Sequence, residues 1–282
     1  MELYSLTPVQ LADRATYFWG NTLSNHRSRA VRALHSTGHL NLSVRIANCS
    51  TSARCSSIYC GACRHRFVKQ AQTRMLARAQ SCGRQVDQRL RFLTILVDLK
   101  YPVPRDVKRA ISEARQKLKA LSRKHKELWM QGAFEFELMD VPSVLALNTR
   151  SRKRKTILEL TGGGKLSPSL FGRMVLVHLH CLVDLDGTNE SELKRSLKSL
   201  FPGRWMVRLQ RTWSDQAIDE KCWKIASYLF KDRTRFNHSD ETSGFKQGVL
   251  MNDQELSSLI ALYSDCSSNG IKHLLIGMGG RR

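Results

Sequence analysis

The sequence predicts an α+β fold in which an antiparallel sheet carries helices on its faces, with an N-terminal cysteine-rich element resembling a zinc ribbon. Three observations predict it. Runs of strand length, apolar at 91–98 and 174–184 and alternating at 132–138, stand among segments of helical spacing. Their order is strand, helix, strand, strand, helix, which suits helices packed on a mostly antiparallel sheet. Four cysteines crowd into residues 49–63.

Taken along the chain, residues 8–36 carry helical spacing with many arginines, and His39 to Ile46 alternate like a short strand. A basic helix over 64–81 follows the cysteines and leads to Arg91-Phe92-Leu93-Thr94-Ile95-Leu96-Val97-Asp98. Pro102 and Pro104 mark a turn. Val107, Ile111, Ala114, Leu118, Leu121 and Leu128 then recur at three- and four-residue steps, giving an amphipathic helix over 105–129 with a face of Lys and Arg. Gly132-Ala133-Phe134-Glu135-Phe136-Glu137-Leu138 alternates strictly, so both carboxylates share one face of a strand. Residues 141–172 read as a basic excursion. Met174 to Asp184 is a buried strand closed by Asp186-Gly187. A helix near 189–200, a strand near 204–213, a helix near 215–231 and an amphipathic helix near 252–264 complete the reading. It divides the chain into a basic helical region at 1–85, a central domain at 86–235 and a polar segment of unknown role at 236–282.

With 46 Lys and Arg against 24 Asp and Glu, the chain carries a formal charge of +22. Such an excess points to a polyanionic partner, nucleic acid before an anionic membrane. No stretch approaches the roughly 20 apolar residues of a spanning helix, and Met1-Glu2-Leu3-Tyr4 does not open like a signal peptide. A soluble cytoplasmic protein with no membrane partner is expected, and in a reducing compartment clustered cysteines act more often as metal ligands than as disulfides.

His178 and His180 are two apart on the third strand and project to the same face. They are either core histidines satisfied by backbone carbonyls or a pair of ligands for a divalent metal. Glu135 or Glu137 would complete a three-ligand site suited to Mg²⁺ or Mn²⁺, unless that strand face is simply solvated. Tyr228 and Lys231 are three apart on a later helix, where the lysine's charge would favour a phenolate able to attack phosphorus. Taken alone, Tyr228 would more often be a core tyrosine.

At these residues the chain resembles the HUH endonucleases, in particular the single-tyrosine rolling-circle replication initiators of small plasmids. His178-Leu179-His180 followed by Tyr228-x-x-Lys231 is similar to the family's two central motifs. Phe92-Leu93-Thr94-Ile95-Leu96 matches the preceding hydrophobic motif, and Gly132-Ala133-Phe134-Glu135 matches the intervening Gly-x-x-Glu strand. All four stand in the family's order, over about residues 91–232. The resemblance implies an HUH-like fold and a metal-dependent endonuclease that nicks one strand at a plasmid origin. Its products would be a 5′-phosphotyrosine and a 3′-OH that primes rolling-circle DNA replication. It assigns the nucleophile to Tyr228, metal binding to His178, His180 and Glu135 (with Glu137 competing), and a supporting role to Lys231. Tyr228 is also the only tyrosine between Tyr101 and Tyr263. The implied partners are DNA, single-stranded or as an origin hairpin, and host helicase and polymerase. A transposase or relaxase would use the same chemistry, and a non-catalytic zinc-ribbon nucleic-acid-binding protein would use none.

Cys49-x5-Cys55-x4-Cys60-x2-Cys63 ends in a knuckle able to grip structural Zn²⁺, the alternative being buried thiols. Such initiators often carry a similar Cys-x-x-Cys followed by arginines, here Arg64 and Arg66. Cys82, Cys181, Cys222 and Cys266 read as packing residues, with Cys181 facing away from the histidines. Arg150, Arg152, Lys153, Arg154 and Lys155, with the basic face of the 105–126 helix, are candidate DNA-phosphate contacts. Trp205, Trp213 and Trp223 are candidates for base stacking or for core.

Overall fold

The computed structural model describes residues 21–97, 103–139, 141–145, 150, 152–160, 174–212, 217–231, 235–238, 246–266 and 274–279. The fold is α+β, with three long-range antiparallel pairings at its centre. The strands are β1 (Leu90–Val97), β2 (Trp129–Met139), β3 (Met174–Asp184) and β4 (Val207–Arg211), and they lie in the order β4-β1-β3-β2. Outside β2, the strand β7 (Leu275–Met278) pairs antiparallel with Met130–Ala133. At the far end of β2 a single parallel bridge joins Met139 to Asn237 of β5 (Arg235–His238), which pairs in turn with β6 (Lys246–Leu250).

β3 is largely buried on both faces because both are covered, and it sits between β1 and β2. One face carries Ile95, Phe134, Phe136, Leu179 and Cys181. Helices α5 (Pro104–Lys124) and α10 (Asp253–Cys266) lie against it: Arg115 sits over the Phe134 ring and Tyr263 packs on Phe136 at 4.3 Å between ring centroids. The Tyr263 hydroxyl also accepts a hydrogen bond from the Phe136 N–H at 2.7 Å, closing part of the β2 edge that no strand pairs among the described residues. The opposite face carries the histidines and is covered by α9 (Ile218–Leu229), which packs on α3 (Gly61–Ser81) with Phe230 stacked on Phe67. At the other end of that face, Met139 and Leu176 form a small second core with Val141, Val144 and Ile157. These come from α6 (Val141–Leu145) and α7 (Arg152–Leu160), the described helices of the basic excursion.

The residues near 40 alternate in sequence yet form α2 (Leu40–Ala47), not a strand. Its buried positions are Ser43, Ile46 and Ala47, spaced for a helix. Packing against α1 (Asn21–Ser36) decides the matter: Ser43 donates to the Val31 carbonyl, and the buried Arg27 guanidinium donates to the carbonyls of Ile46, Ala47 and Cys49. Local alternation is overridden by this dock. The helix read to 129 stops at Lys124, and Leu128 is buried in the turn that enters β2. The segment after 236 is less polar in role than its composition suggests, since α10 and β7 both join the main core. No helix among the described residues is long and apolar enough to cross a membrane.

An ion-pair node fixes α3 to the sheet. Asp184, at the end of β3 and fully buried, lies 2.6 Å from Arg78 Nε and 2.7 Å from Arg89 Nη2, and both arginines also reach Asp186. Burial alone would raise the Asp184 carboxyl, but the hydrogen bonds from Arg89 and the charge of Arg78 outweigh it and hold the group below the usual carboxylate range. A depressed carboxylate confers stability that is complete above about pH 4 and lost as the pH falls through the lower, folded value. Asp184→Asn leaves two arginines facing a neutral group, so a loss of about 3 kcal/mol is expected, seen as a melting point lowered by about 6–12 °C at pH 7. That gap should narrow in melts carried out below pH 4.

Candidate functional site

The register of the central strands builds the site. Directly paired residues of antiparallel strands share a face. Glu135 is opposite His178, Thr94 is opposite His180, and Arg208 is opposite Thr94. Phe92, Thr94, His178, His180, Glu135, Glu137 and Arg208 therefore line one sheet face. Each imidazole is turned to a carboxylate on β2: His180 Nε2 is 3.1 Å from Glu135 Oε2, and His178 Nε2 is 3.3 Å from Glu137 Oε2. Glu135 is 1% exposed, Glu137 3% and His180 3%. The carboxylate face is thus buried against the histidines and not solvated. Both glutamates are engaged, one with each histidine, where the sequence left them competing for a single role.

Gly132 explains how β2 comes so close. A Cβ there would run into the His180 carbonyl and the Cys181 side chain, so glycine is what allows the backbone of β2 to press on the histidine strand. Cys181 itself points to the opposite face, is fully buried and has its thiol pushed up by that burial.

α9 brings Tyr228 onto this face. The tyrosine ring meets His180 edge-on at 4.9 Å and Phe92 at 5.9 Å, while Phe92 stacks parallel to His180 at 5.7 Å. Tyr228 keeps 39% of its surface exposed, so it is no core tyrosine. It borders buried histidine on one side and solvent on the other. The helix is anchored at its start by Lys221, whose Nζ lies 2.6 Å from Asp87 Oδ1, and at its end by the Phe230–Phe67 stack. It stops at Leu229, so Lys231 lies just beyond it, exposed, with its backbone N–H on the Tyr228 carbonyl at 3.4 Å. The helical i,i+3 geometry expected for this pair is replaced by that final turn.

The donor set of two imidazole nitrogens and two carboxylates fits a divalent cation. It is nonetheless arranged as two His–Glu couples, with the histidine ring centroids 5.6 Å apart. Among the described residues, the group whose ligand atoms all lie within 4.8 Å of one another is Cys49, Cys55, Cys60 and Cys63. Sulfurs 2.3 Å from a tetrahedral Zn²⁺ are about 3.8 Å apart. Here Cys49 Sγ and Cys55 Sγ stand 3.5 Å and 3.7 Å from Cys63 Sγ. The Cys55 N–H also donates to Cys49 Sγ at 3.4 Å. Hydrogen bonds from Cys55, Cys60 and Cys63 pull the Cys49 thiol far down. A bond to Cys49 raises Cys60, but those from Cys55 and Cys63 outweigh it and leave Cys60 at about 7. Bonding to Cys49 raises Cys55 and Cys63 correspondingly. Cys60 caps α3 and Cys63 is in its first turn, where the positive end of the helix favours thiolate. The four cysteines can hold a structural metal such as zinc.

No protein-family model matches the chain, and no curated protein or solved structure matches it either.

The basic residues divide. Arg150 is exposed, Arg154 donates to the Leu145 carbonyl at 2.8 Å and so joins α7 to α6, and Lys155 lies 5.6 Å over the Trp205 ring, which Arg204 also covers. The side chains of Arg152 and Lys153, and all of Trp213, lie outside the described residues. Trp223 is exposed on α9, at 52%. Sequence reading missed Thr94 as a site residue and missed Arg208 altogether. Thr94 Oγ1 is 3.1 Å from His180 Nδ1, and Arg208 is an exposed cation in the same cross-strand row. Their signal is strand parity, which becomes usable only when the pairing register is known.

Proposed function

We propose that the chain is a metal-dependent DNA-nicking enzyme of the HUH type, acting as a replication initiator that opens one strand at a plasmid origin. The observation that carries this reading is the contact of a solvent-exposed tyrosine, Tyr228, with a buried histidine of a His-x-His strand backed by two glutamates. A purely structural histidine pair would need no accessible phenol beside it.

The Tyr228 phenol oxygen attacks a backbone phosphorus, the P–O3′ bond breaks, and the new P–O bond joins the 5′ end to the tyrosine. The phenol gives up one proton and the departing O3′ takes one up, so the exchange needs no outside energy source. A divalent cation such as Mg²⁺ or Mn²⁺, held by His178, His180 and Glu135 or Glu137, would supply Lewis-acid charge at the phosphate. Phe92 and the sheet keep one side of the tyrosine dry. Lys231, Arg208 and the basic residues 150–155 would attract the strand by charge.

Full-length protein incubated with labelled single-stranded origin DNA and Mn²⁺ should yield an adduct that survives denaturant. Binding without any adduct would instead favour the zinc-ribbon nucleic-acid-binding reading. Activity on transposon ends or transfer origins in place of a replication origin would favour a transposase or relaxase. Arg208 offers a second measurement: Arg208→Gln should lower the slope of log affinity against log salt for single-stranded DNA by about 0.7, the amount for one phosphate contact. An unchanged slope would remove Arg208 from the DNA path.

A further inference from the structure

We propose that Thr94 is a positioning residue for His180, serving the ring in both of its neutral tautomers so that His180 can exchange its carboxylate partner for a cation without losing a hydrogen bond. The cation in this statement rests on the nickase reading above.

Thr94 faces His180 across β1 and β3, with its hydroxyl 3.1 Å from Nδ1. Opposite it on the ring, Nε2 is 3.1 Å from Glu135 Oε2. With a neutral ring and an ionised glutamate, Nε2 carries the hydrogen toward Glu135, and Nδ1 accepts from the Thr94 hydroxyl. A cation at Nε2 needs the lone pair there, which moves the hydrogen to Nδ1. A backbone carbonyl at that position could only accept and a backbone N–H could only donate. A hydroxyl does both by rotating about one bond. The ring plane is held meanwhile: Phe92 stacks on it within 8° of parallel, and Tyr228 meets it edge-on at 79°. The adjustment therefore falls on the hydroxyl, not on the ring. In so buried a ring, a lost hydrogen bond would count fully against metal binding. The two histidines differ in this respect, because the β1 residue facing His178 is Leu96, whose side chain has no hydrogen to give or site to accept one.

The test is Mn²⁺ affinity, measured calorimetrically on the full chain with the cysteine cluster already loaded with zinc, and with His180→Ala as the control that locates the ion. Thr94→Val, close to threonine in shape, should bind Mn²⁺ about 10- to 100-fold more weakly, the usual cost of removing a partner of a metal-bound histidine. Thr94→Ser, which restores the hydroxyl, should bind near wild-type strength. Equal affinity in wild type and Thr94→Val overturns the role of Thr94 and leaves the nickase reading standing. Failure of serine to rescue overturns it as well. Wild-type protein that takes up no Mn²⁺ overturns the cation itself, and the exchange with it. Should Thr94→Val not fold, Thr94→Ala carries the same comparison.

Discussion

Tyr228→Phe is expected to abolish the covalent DNA adduct and to lower strand cleavage by roughly 10⁴-fold or more, the scale seen when a covalent nucleophile is removed. The substitution deletes one oxygen from a side chain that is already 39% exposed. The ring contacts with His180 and Phe92 remain, so the melting temperature should hardly move. DNA affinity should also persist, because the positive charges that attract the strand are elsewhere. The expected signature is thus narrow: normal folding, normal binding, no adduct on a denaturing gel. A variant that nicks as well as wild type would sink the nickase reading outright. His180→Ala should differ in kind. It removes a proposed cation ligand and part of the wall beside the phenol, so cleavage should fall and added Mn²⁺ should not rescue it.

Loss of the cysteine cluster is expected to give the largest structural effect. Purified protein should contain one zinc per chain by atomic emission. Structural zinc is worth about 10 kcal/mol or more in small zinc-dependent domains. Removing one ligand, as in Cys60→Ser, should therefore cost several kcal/mol and lower the melting temperature by about 10 °C or more. Cys222→Ser is the matched control, since that thiol is equally buried but lies outside the cluster. Because Cys60 and Cys63 begin α3, and α3 carries Phe67 onto Phe230, chelation should also loosen the helix that bears Tyr228. Hydrogen exchange over 218–229 would report it. A metal-free protein that melts as high as the wild type would leave the cysteines as ordinary buried thiols.

Much of this architecture is legible in the sequence, for identifiable reasons. The strands at 90–97, 129–139 and 174–184 announce themselves because each is an apolar or strictly alternating run of strand length, and parity then assigns Glu135, Glu137, His178 and His180 to common faces. The helix at 40–47 is misread because Leu40, Leu42, Val44 and Ile46 alternate, while the contacts that make it helical come from Arg27 and Val31 on another helix. The pairing of each histidine with its own glutamate depends on rotamers, which no spacing reveals. Thr94 was visible as part of a motif, but its bond to His180 needed the β1–β3 register. The strand at 275–278 escaped notice because a four-residue edge strand carries little pattern of its own, and its partner is far away in sequence.

That last pairing has a bearing on how the protein is made. β2 holds both glutamates of the site, and the strand that covers its outer edge is translated about 140 residues later. At roughly 5–20 residues per second, the ribosome has an interval of several seconds or more in which β2 can exist with that edge open. That part of the β2 edge is therefore covered late in synthesis. A chain broken off before residue 275 would leave β2 uncovered, prone to pair with other chains. Quality control would then meet an aggregation-prone fragment.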